Sequence, residues 1–293
     1  MNTFKTVARW TLWPLIFGAS LLAYAGLSQQ LAPGLALFAV TVGNLVGIAL
    51  LELWLPARRE WSLLRDRQFP RDIAHALLAT EGGGRVARLL LTTAATILAA
   101  ALADFGLTPA IWPAHWPLIG QCALGLVILE TLFYVQHRWF HRGWQWRFHA
   151  LHHNADRMHV LKSGRLHVVE IVIRHTILFA PLILSGAPQE VFFWLGVWTN
   201  SAGNLAHANL DLRFPRWFHY VFVTPGVHHR HHALDLDLGN SNFANSLTLP
   251  DILGGTFRHP DEYILRDTGI ADDFYPRGFF GQLLAPVRPK RTG

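Results

Sequence analysis

Leu118–His153 reads LIGQCALGLVILETLFYVQHRWFHRGWQWRFHALHH. As far as Gln136 the stretch carries one charge, Glu130, among mostly apolar residues. Nineteen residues of α-helix rise about 28 Å, close to the roughly 30 Å hydrocarbon core of a bilayer. The apolar run then gives way to His137 and His141, followed by His149, His152 and His153. Spacings of three and four residues place side chains on one helical face. A membrane helix that ends in imidazoles aimed one way is the pattern from which the rest of the chain is read.

Outward from it, the 293 residues are 51% hydrophobic and only 15% charged, with mean hydropathy +0.24. The usual charged share of soluble chains is about 25%, so disorder is excluded and an ordinary soluble enzyme is disfavoured. Further spans are expected at Thr11–Ser28, Gly34–Leu55 and Leu89–Leu107, with two weaker segments at Ile171–Gly186 and Val191–Ala206. Sixteen residues reach only about 24 Å, so the weak pair either extends past these limits or forms a hairpin that enters without crossing. One cysteine, Cys122, excludes an internal disulfide and any all-cysteine metal site.

Charge sets the topology. The connections Gln29–Pro33 and Thr108–Pro117 hold no Lys or Arg, whereas seven arginines from Arg58 to Arg88 crowd the segment between the second and third spans. Six more cations lie in His137–Glu170 and nine after His207. If the weak pair goes in and returns, all these basic segments share a side, and the positive-inside rule makes it the cytoplasm. The expected architecture is all-α: a multi-spanning membrane helical bundle with a cytoplasmic histidine-rich cap and both termini on that side. The chain is read as one membrane domain, with four spans in 11–136, a catalytic region in 130–257 and a loosely packed cytoplasmic tail in 258–293. The net charge of +6 suits anionic lipid, and no nucleic-acid partner is expected. Lys5, Arg9 and Ala23-Tyr-Ala25 also allow the first span to be a cleaved signal. Gly82-Gly-Gly84 lacks the Lys-Ser/Thr of a phosphate loop and reads as a flexible turn.

Fourteen of the 17 histidines fall between His137 and His232. Three clusters stand out: His137 and His141; His149, His152 and His153; and His228, His231 and His232. Neutral imidazole binds iron, zinc and copper, and eight such ligands exceed one tetrahedral ion and suit two. His207, where the sixth span should end, is a ninth candidate. His229 reads as a helix neighbour pointing away. His75, His115 and His259 lack a partner at ligand spacing and read as structural, while His159, His175 and His219, which lack cluster spacing, read as structural or as hydrogen-bond partners of a ligand.

With these residues in view, the chain resembles the membrane fatty acid hydroxylase / sterol desaturase superfamily, whose histidine boxes appear here as HRWFH, HALHH and HHRHH. Glu130-x3-Tyr134-x2-His137 is similar to the family's lead-in, with Glu for the usual Asp. Met158–Glu170 resembles the stretch ending Arg-x-His-Pro-x-Glu, with Val168 in place of proline. Thr224-Pro225 precedes the last box, and Asn240 to Thr256 is similar to the family's ending, with Ala244 for a glycine. The resemblance covers roughly Glu130 to Phe257. It implies two iron ions (zinc as a substitute), O2 as co-substrate, a lipid substrate and an external electron donor such as a cytochrome or ferredoxin. It places the ligand role on His137, His141, His149, His152, His153, His207, His228, His231 and His232, with no catalytic group beyond the metal centre. His167 is either a ligand or a partner of one. Glu130 is expected to accept from a ligand imidazole, or else to pair with an arginine. Arg165 and Glu170 are spaced to form an ion pair holding the cap, and Tyr134 to serve there or as a core aromatic.

The implied reaction is hydroxylation or desaturation of a lipid C–H bond. No Rossmann fingerprint, flavin motif or four-cysteine site is present, so reducing equivalents must come from outside. A zinc-dependent lipid hydrolase or lyase is one alternative. A membrane metal carrier is another, but its spans would need an ionisable path that Asp104, Glu130, Arg174 and His175 scarcely supply.

Overall fold

The computed structural model describes residues 3–105, 111–262, 267–271 and 275–288. Among these residues the chain is helical, with isolated bridges but no strand. The long helices are α1 (Thr3–Leu27), α2 (Pro33–Trp54), α4 (Gly84–Asp104), α5 (Leu118–Phe140), α7 (Val168–Leu184) and α8 (Gln189–His207). Shorter ones build a cap: α3 (Phe69–Ala76), α6 (Trp146–His153), α9 (Pro225–His231), α10 (Leu236–Gly239), α11 (Leu249–Leu253) and α12 (Phe279–Leu284). Among the described residues, four stretches are long and apolar enough to cross a membrane: α1, α2, Phe69–Leu102 and α5.

The lipid-facing surface is legible on α5. Ile119, Ala123, Val127, Thr131, Val135 and Trp139 are exposed at every fourth position, whereas Gln121, Gly125, Leu129 and Phe133 are buried. Gly125 is needed where α8 crosses, because a Cβ there would stand 2.9 Å from Leu195 and 3.2 Å from Val191. The α1–α2 pair packs on α8 through Trp13, Phe17, Ile48, Ala202 and Leu205. A polar ladder runs through this apolar layer. Asn204 donates to Asn44, Asn44 to Ser20, and Ser163 of the cap to Asn204, each at 2.8–2.9 Å. The side chains of the ladder thus satisfy one another, as a low-dielectric interior favours.

The second of the weak pair extends past both expected limits, to 189–207, while the first starts earlier than expected and stops two residues short, at 168–184. The turn between them meets the connection before α5: the Trp112 N–H donates to the Ser185 carbonyl at 2.9 Å, and Trp112 packs with Leu182 and Val191. The α1–α2 turn lies at this end too, where Gly34 approaches Phe193. The hairpin therefore reaches the end of the bundle opposite the histidines. Gly82-Gly-Gly84 is not a free turn. Leu77–Gly83 is a π-helical segment joining α3 to α4, and Gly83 lies so close to Val168 that a Cβ would meet it at 3.0 Å. The third span thus starts well before Leu89, while its expected end, Leu107, lies outside the described residues, as do residues 289–293 of the tail.

The tail is also tighter than expected. Tyr275, Gln282, Ala285 and Pro286 are buried. His75 donates to Gln282 at 2.9 Å, and Arg147 donates to the Pro286 carbonyl at 3.0 Å. Its proline and glycine punctuation disguised a segment that closes over α3 and α6.

Candidate metal centre

Local structure delivers each imidazole. α5 carries His137 in its last turn and ends with His141 as its C-cap. α6 presents His149, His152 and His153, and α8 finishes on His207. Thr224 caps α9 by accepting from the Val227 N–H, with Pro225 in the first turn. This short helix then presents His228 and His231, and His232 as its C-cap.

Tertiary packing gathers these nine side chains into two groups. His137, His141, His149, His153 and His231 form one; His152, His207, His228 and His232 form the other. In the first, His149 Nε2 lies 3.0 Å from His137 Nε2 and 3.1 Å from His153 Nε2. In the second, His207 Nε2 lies 3.3 Å from His152 Nε2 and 3.0 Å from His228 Nε2, which is 3.1 Å from His232 Nε2. The groups touch where His153 stacks on His232, with ring centroids 4.4 Å apart.

The outer ring nitrogens decide what the inner ones can do. His137 donates Nδ1–H to the Phe243 carbonyl at 2.6 Å, and His231 to the Ser241 carbonyl at 2.8 Å. A carbonyl only accepts, so in the neutral rings both Nε2 atoms carry bare lone pairs, and these stand 3.1 Å apart. Two lone pairs at that distance repel unless a cation lies between them. Ligands of one ion at metal–nitrogen distances near 2.0–2.1 Å are about 3.0–3.4 Å apart, which matches the spacings in both groups. Burial, reinforced by neighbouring imidazoles, holds His141, His152, His153, His228 and His232 well below the ordinary histidine range. It brings His231 down to about 3. The rings are therefore neutral, the form that ligates. The residues fit two metal ions.

Surrounding groups orient these rings. Glu170 Oε1 accepts from His149 Nδ1 at 2.9 Å and also from Arg174. His141 Nδ1 meets Asn240 Oδ1 at 3.2 Å, and His207 Nδ1 donates to the Gly203 carbonyl at 2.7 Å. Asn240 and the carbonyls of Gly203, Ser241 and Phe243 had no assigned role in the sequence. The Asn-x-Asn following HHRHH was the available signal.

Several expectations are corrected. Glu130 touches no imidazole; it is buried and accepts from Ser246 Oγ at 2.5 Å and from the N–H groups of Ser246 and Leu247. Arg165 and Glu170 do not pair. Arg165 donates to Asp72 and to the Leu151 carbonyl, so it braces α6 between His149 and His152. His167 joins neither group: as N-cap of α7 it accepts from Val169 N–H, and its Nε2 donates to the Leu283 carbonyl. Tyr134 shares a hydrogen bond with Thr256 and accepts one from Arg138. A third grouping, Asp66, Asp72 and His159, is neutralised by Lys162, whose Nζ sits 2.6 Å from both carboxylates, together with Arg165 on Asp72.

The family model described as fatty acid hydroxylase matches residues 122–256. The chain is 37% identical over 286 residues to the ornithine lipid hydroxylase OlsE of Rhizobium tropici, covering 95% of this chain and 84% of that one. It is 26% identical over 183 residues to the very-long-chain aldehyde decarbonylase GL1-1 of Oryza sativa subsp. indica, a match spanning 58% of this chain and 28% of the other. No solved structure matches.

Proposed function

The chain belongs to the fatty acid hydroxylase family, and from that premise we propose that it hydroxylates a membrane lipid at a centre of two iron ions. A lipid with an amino-acid headgroup, of the kind named for the Rhizobium tropici relative, is the preferred substrate class. The observation that carries the reading is the His137–His231 contact. Two buried imidazoles whose tautomers are fixed by carbonyls present bare nitrogens to each other at 3.1 Å, and seven more rings continue the pattern.

Five imidazoles would hold one ion and four the other. Two irons so held supply the redox chemistry with dioxygen that an unreactive C–H bond requires. The protein's part is preorganisation. Glu170 accepts the His149 Nδ1 proton and so fixes the ring with Nε2 facing inward. Asn240 does the same for His141, and the three carbonyls for His137, His231 and His207. Eight of the nine rings are buried and His141 is half-buried, which keeps bulk water from the ligands. Overall, R–H, O2, two electrons and two protons give R–OH and water. The electrons come from an external cytochrome or ferredoxin, and desaturation is the competing outcome when a second hydrogen is removed. A hydrolytic zinc site typically uses three protein ligands and one water, a poor match to groups of five and four.

The test is anaerobic purification with metal quantification, then turnover on ornithine lipid under labelled O2 with a reductant. Labelled oxygen in the product lipid is expected, and His152→Ala should abolish turnover while membrane insertion persists. Product formed without O2 or reductant would sink the oxygenase reading.

A further inference from the structure

One cavity touches the centre from outside. It measures about 230 Å³ and is lined by Arg138, His141, Arg142, Asn240, Phe243 and Thr256. His141 belongs at once to this cavity and to the five-histidine group. Two guanidinium groups therefore stand beside a ring that faces the metal position. Arg138 donates one N–H to Tyr134. Among the described residues neither Arg138 nor Arg142 forms a salt bridge, and the Arg142 side chain makes no hydrogen bond. The Asp251 carboxylate near Arg138 is already occupied by the N–H groups of Phe243 and Ala244 and by the Thr256 hydroxyl.

The cavity opens at a particular depth. The lipid-facing stripe of α5 runs through Val135 and stops at Trp139, an aromatic where such helices meet the headgroup layer. Arg138 and Arg142 flank that last position. On the adjoining α11, Leu249, Ile252 and Leu253 are exposed. A cationic hollow with an apolar rim at this level is addressed by a lipid headgroup rather than by acyl chain. Size agrees: 230 Å³ is the room of roughly eight water molecules at about 30 Å³ each. That lies below the roughly 300–1,000 Å³ of pockets that enclose a drug-sized ligand. A headgroup enters and the chains stay outside.

We infer that this cavity is an oxoanion subsite in which Arg138 and Arg142 grip the carboxylate or phosphate of a lipid headgroup beside His141. The inference deepens the proposed function and rests on its lipid substrate. Arginine suits the task because its planar fork pairs with two oxygens of one anion. Both arginines are specificity residues, and neither touches the metal position.

The experiment is native mass spectrometry of the full-length, metal-loaded protein with three chain-matched lipids: ornithine lipid, phosphatidylglycerol and diacylglycerol. Binding is read without turnover. Arg142→Gln should weaken retention of the two lipids that carry an oxoanion, zwitterionic ornithine lipid and anionic phosphatidylglycerol, about tenfold, the loss of a charge-assisted hydrogen bond, while diacylglycerol retention shifts less than about twofold. Arg142→Lys should fall between, and unchanged metal content certifies the fold of each variant. Retention of ornithine lipid alone assigns a carboxylate, of phosphatidylglycerol alone a phosphate, and of both any oxoanion. Ornithine lipid and phosphatidylglycerol bound as well by Arg142→Gln as by wild type overturn the subsite, as does an equal loss on all three lipids. Arg142-dependent binding without any hydroxylated product would sink the proposed function and leave the subsite standing.

Discussion

Glu170 shows how one side chain divides its work. Its Oε1 takes the His149 Nδ1 proton and a guanidinium N–H of Arg174. Held between an imidazole N–H and a guanidinium, it offers a fixed negative charge behind one imidazole. Among the nine rings His149 is the one backed by a carboxylate, whereas the Nδ1 atoms of His152, His228 and His232 have no hydrogen-bond partner among the described residues. The two groups are thus supported unequally. Glu170→Gln retains an acceptor but removes the charge, and it should lower metal affinity of the five-histidine group by about 10–100-fold. Chelator titration with metal counted per chain is the check. Two metals retained as firmly as in wild type would refute the role.

At the scale of elements, buried carboxylates fasten the cap to the bundle. Glu52, at the end of α2, accepts from the N–H groups of Val160 and Asn209, both at 2.8 Å. Glu130 holds Ser246 and Leu247 to α5, and Asp251 holds Phe243 and Ala244 to α11. Gly254 completes that junction, since any Cβ there would overlap Tyr134. The segment before α3 is tied to the 160–165 turn by Lys162, fully buried between Asp66 and Asp72. His159 adds a hydrogen bond to Asp66 at 2.9 Å. Burial alone would push the Asp66 carboxyl up, but the His159 hydrogen bond and the Lys162 charge outweigh it and hold it well below the usual range. Lys162→Met leaves two buried carboxylates under-compensated and should destabilise the fold by about 3–5 kcal/mol. Thermal unfolding in detergent would register this as a lower midpoint, and an unchanged midpoint would refute the clamp.

Across the whole molecule, charge is sorted by end. The connections 28–32, 111–117 and 185–188 gather at one end and contain no Lys or Arg. The histidine groups, Arg58, Arg142 and Lys162 lie at the other. We propose, on the positive-inside rule, that the histidine end faces the cytoplasm. In a Cys122→Ala background, single cysteines at Gln29 and Pro113 should react with a membrane-impermeant thiol reagent from outside the cell. One at Arg142 should react only after permeabilisation. Labelling of all three from the same side would overturn the topology.

The sequence by itself determined the all-helical membrane class, the segments that would carry imidazoles, and the sorting of charge. Each rests on local periodicity or composition, which a reader of the chain sees directly. Glu130, Arg165, Glu170 and His167 were noticed for their spacing, but their partners were misread or left open. A buried polar group is satisfied by whatever folding brings within hydrogen-bond reach, and for these residues that was the 246–247 backbone, Asp72, the His149 ring and the Leu283 carbonyl. The division of nine histidines into five and four was likewise beyond reach, because α6 gives members to both groups and only the packing of α5, α8 and α9 around it decides which ring faces which.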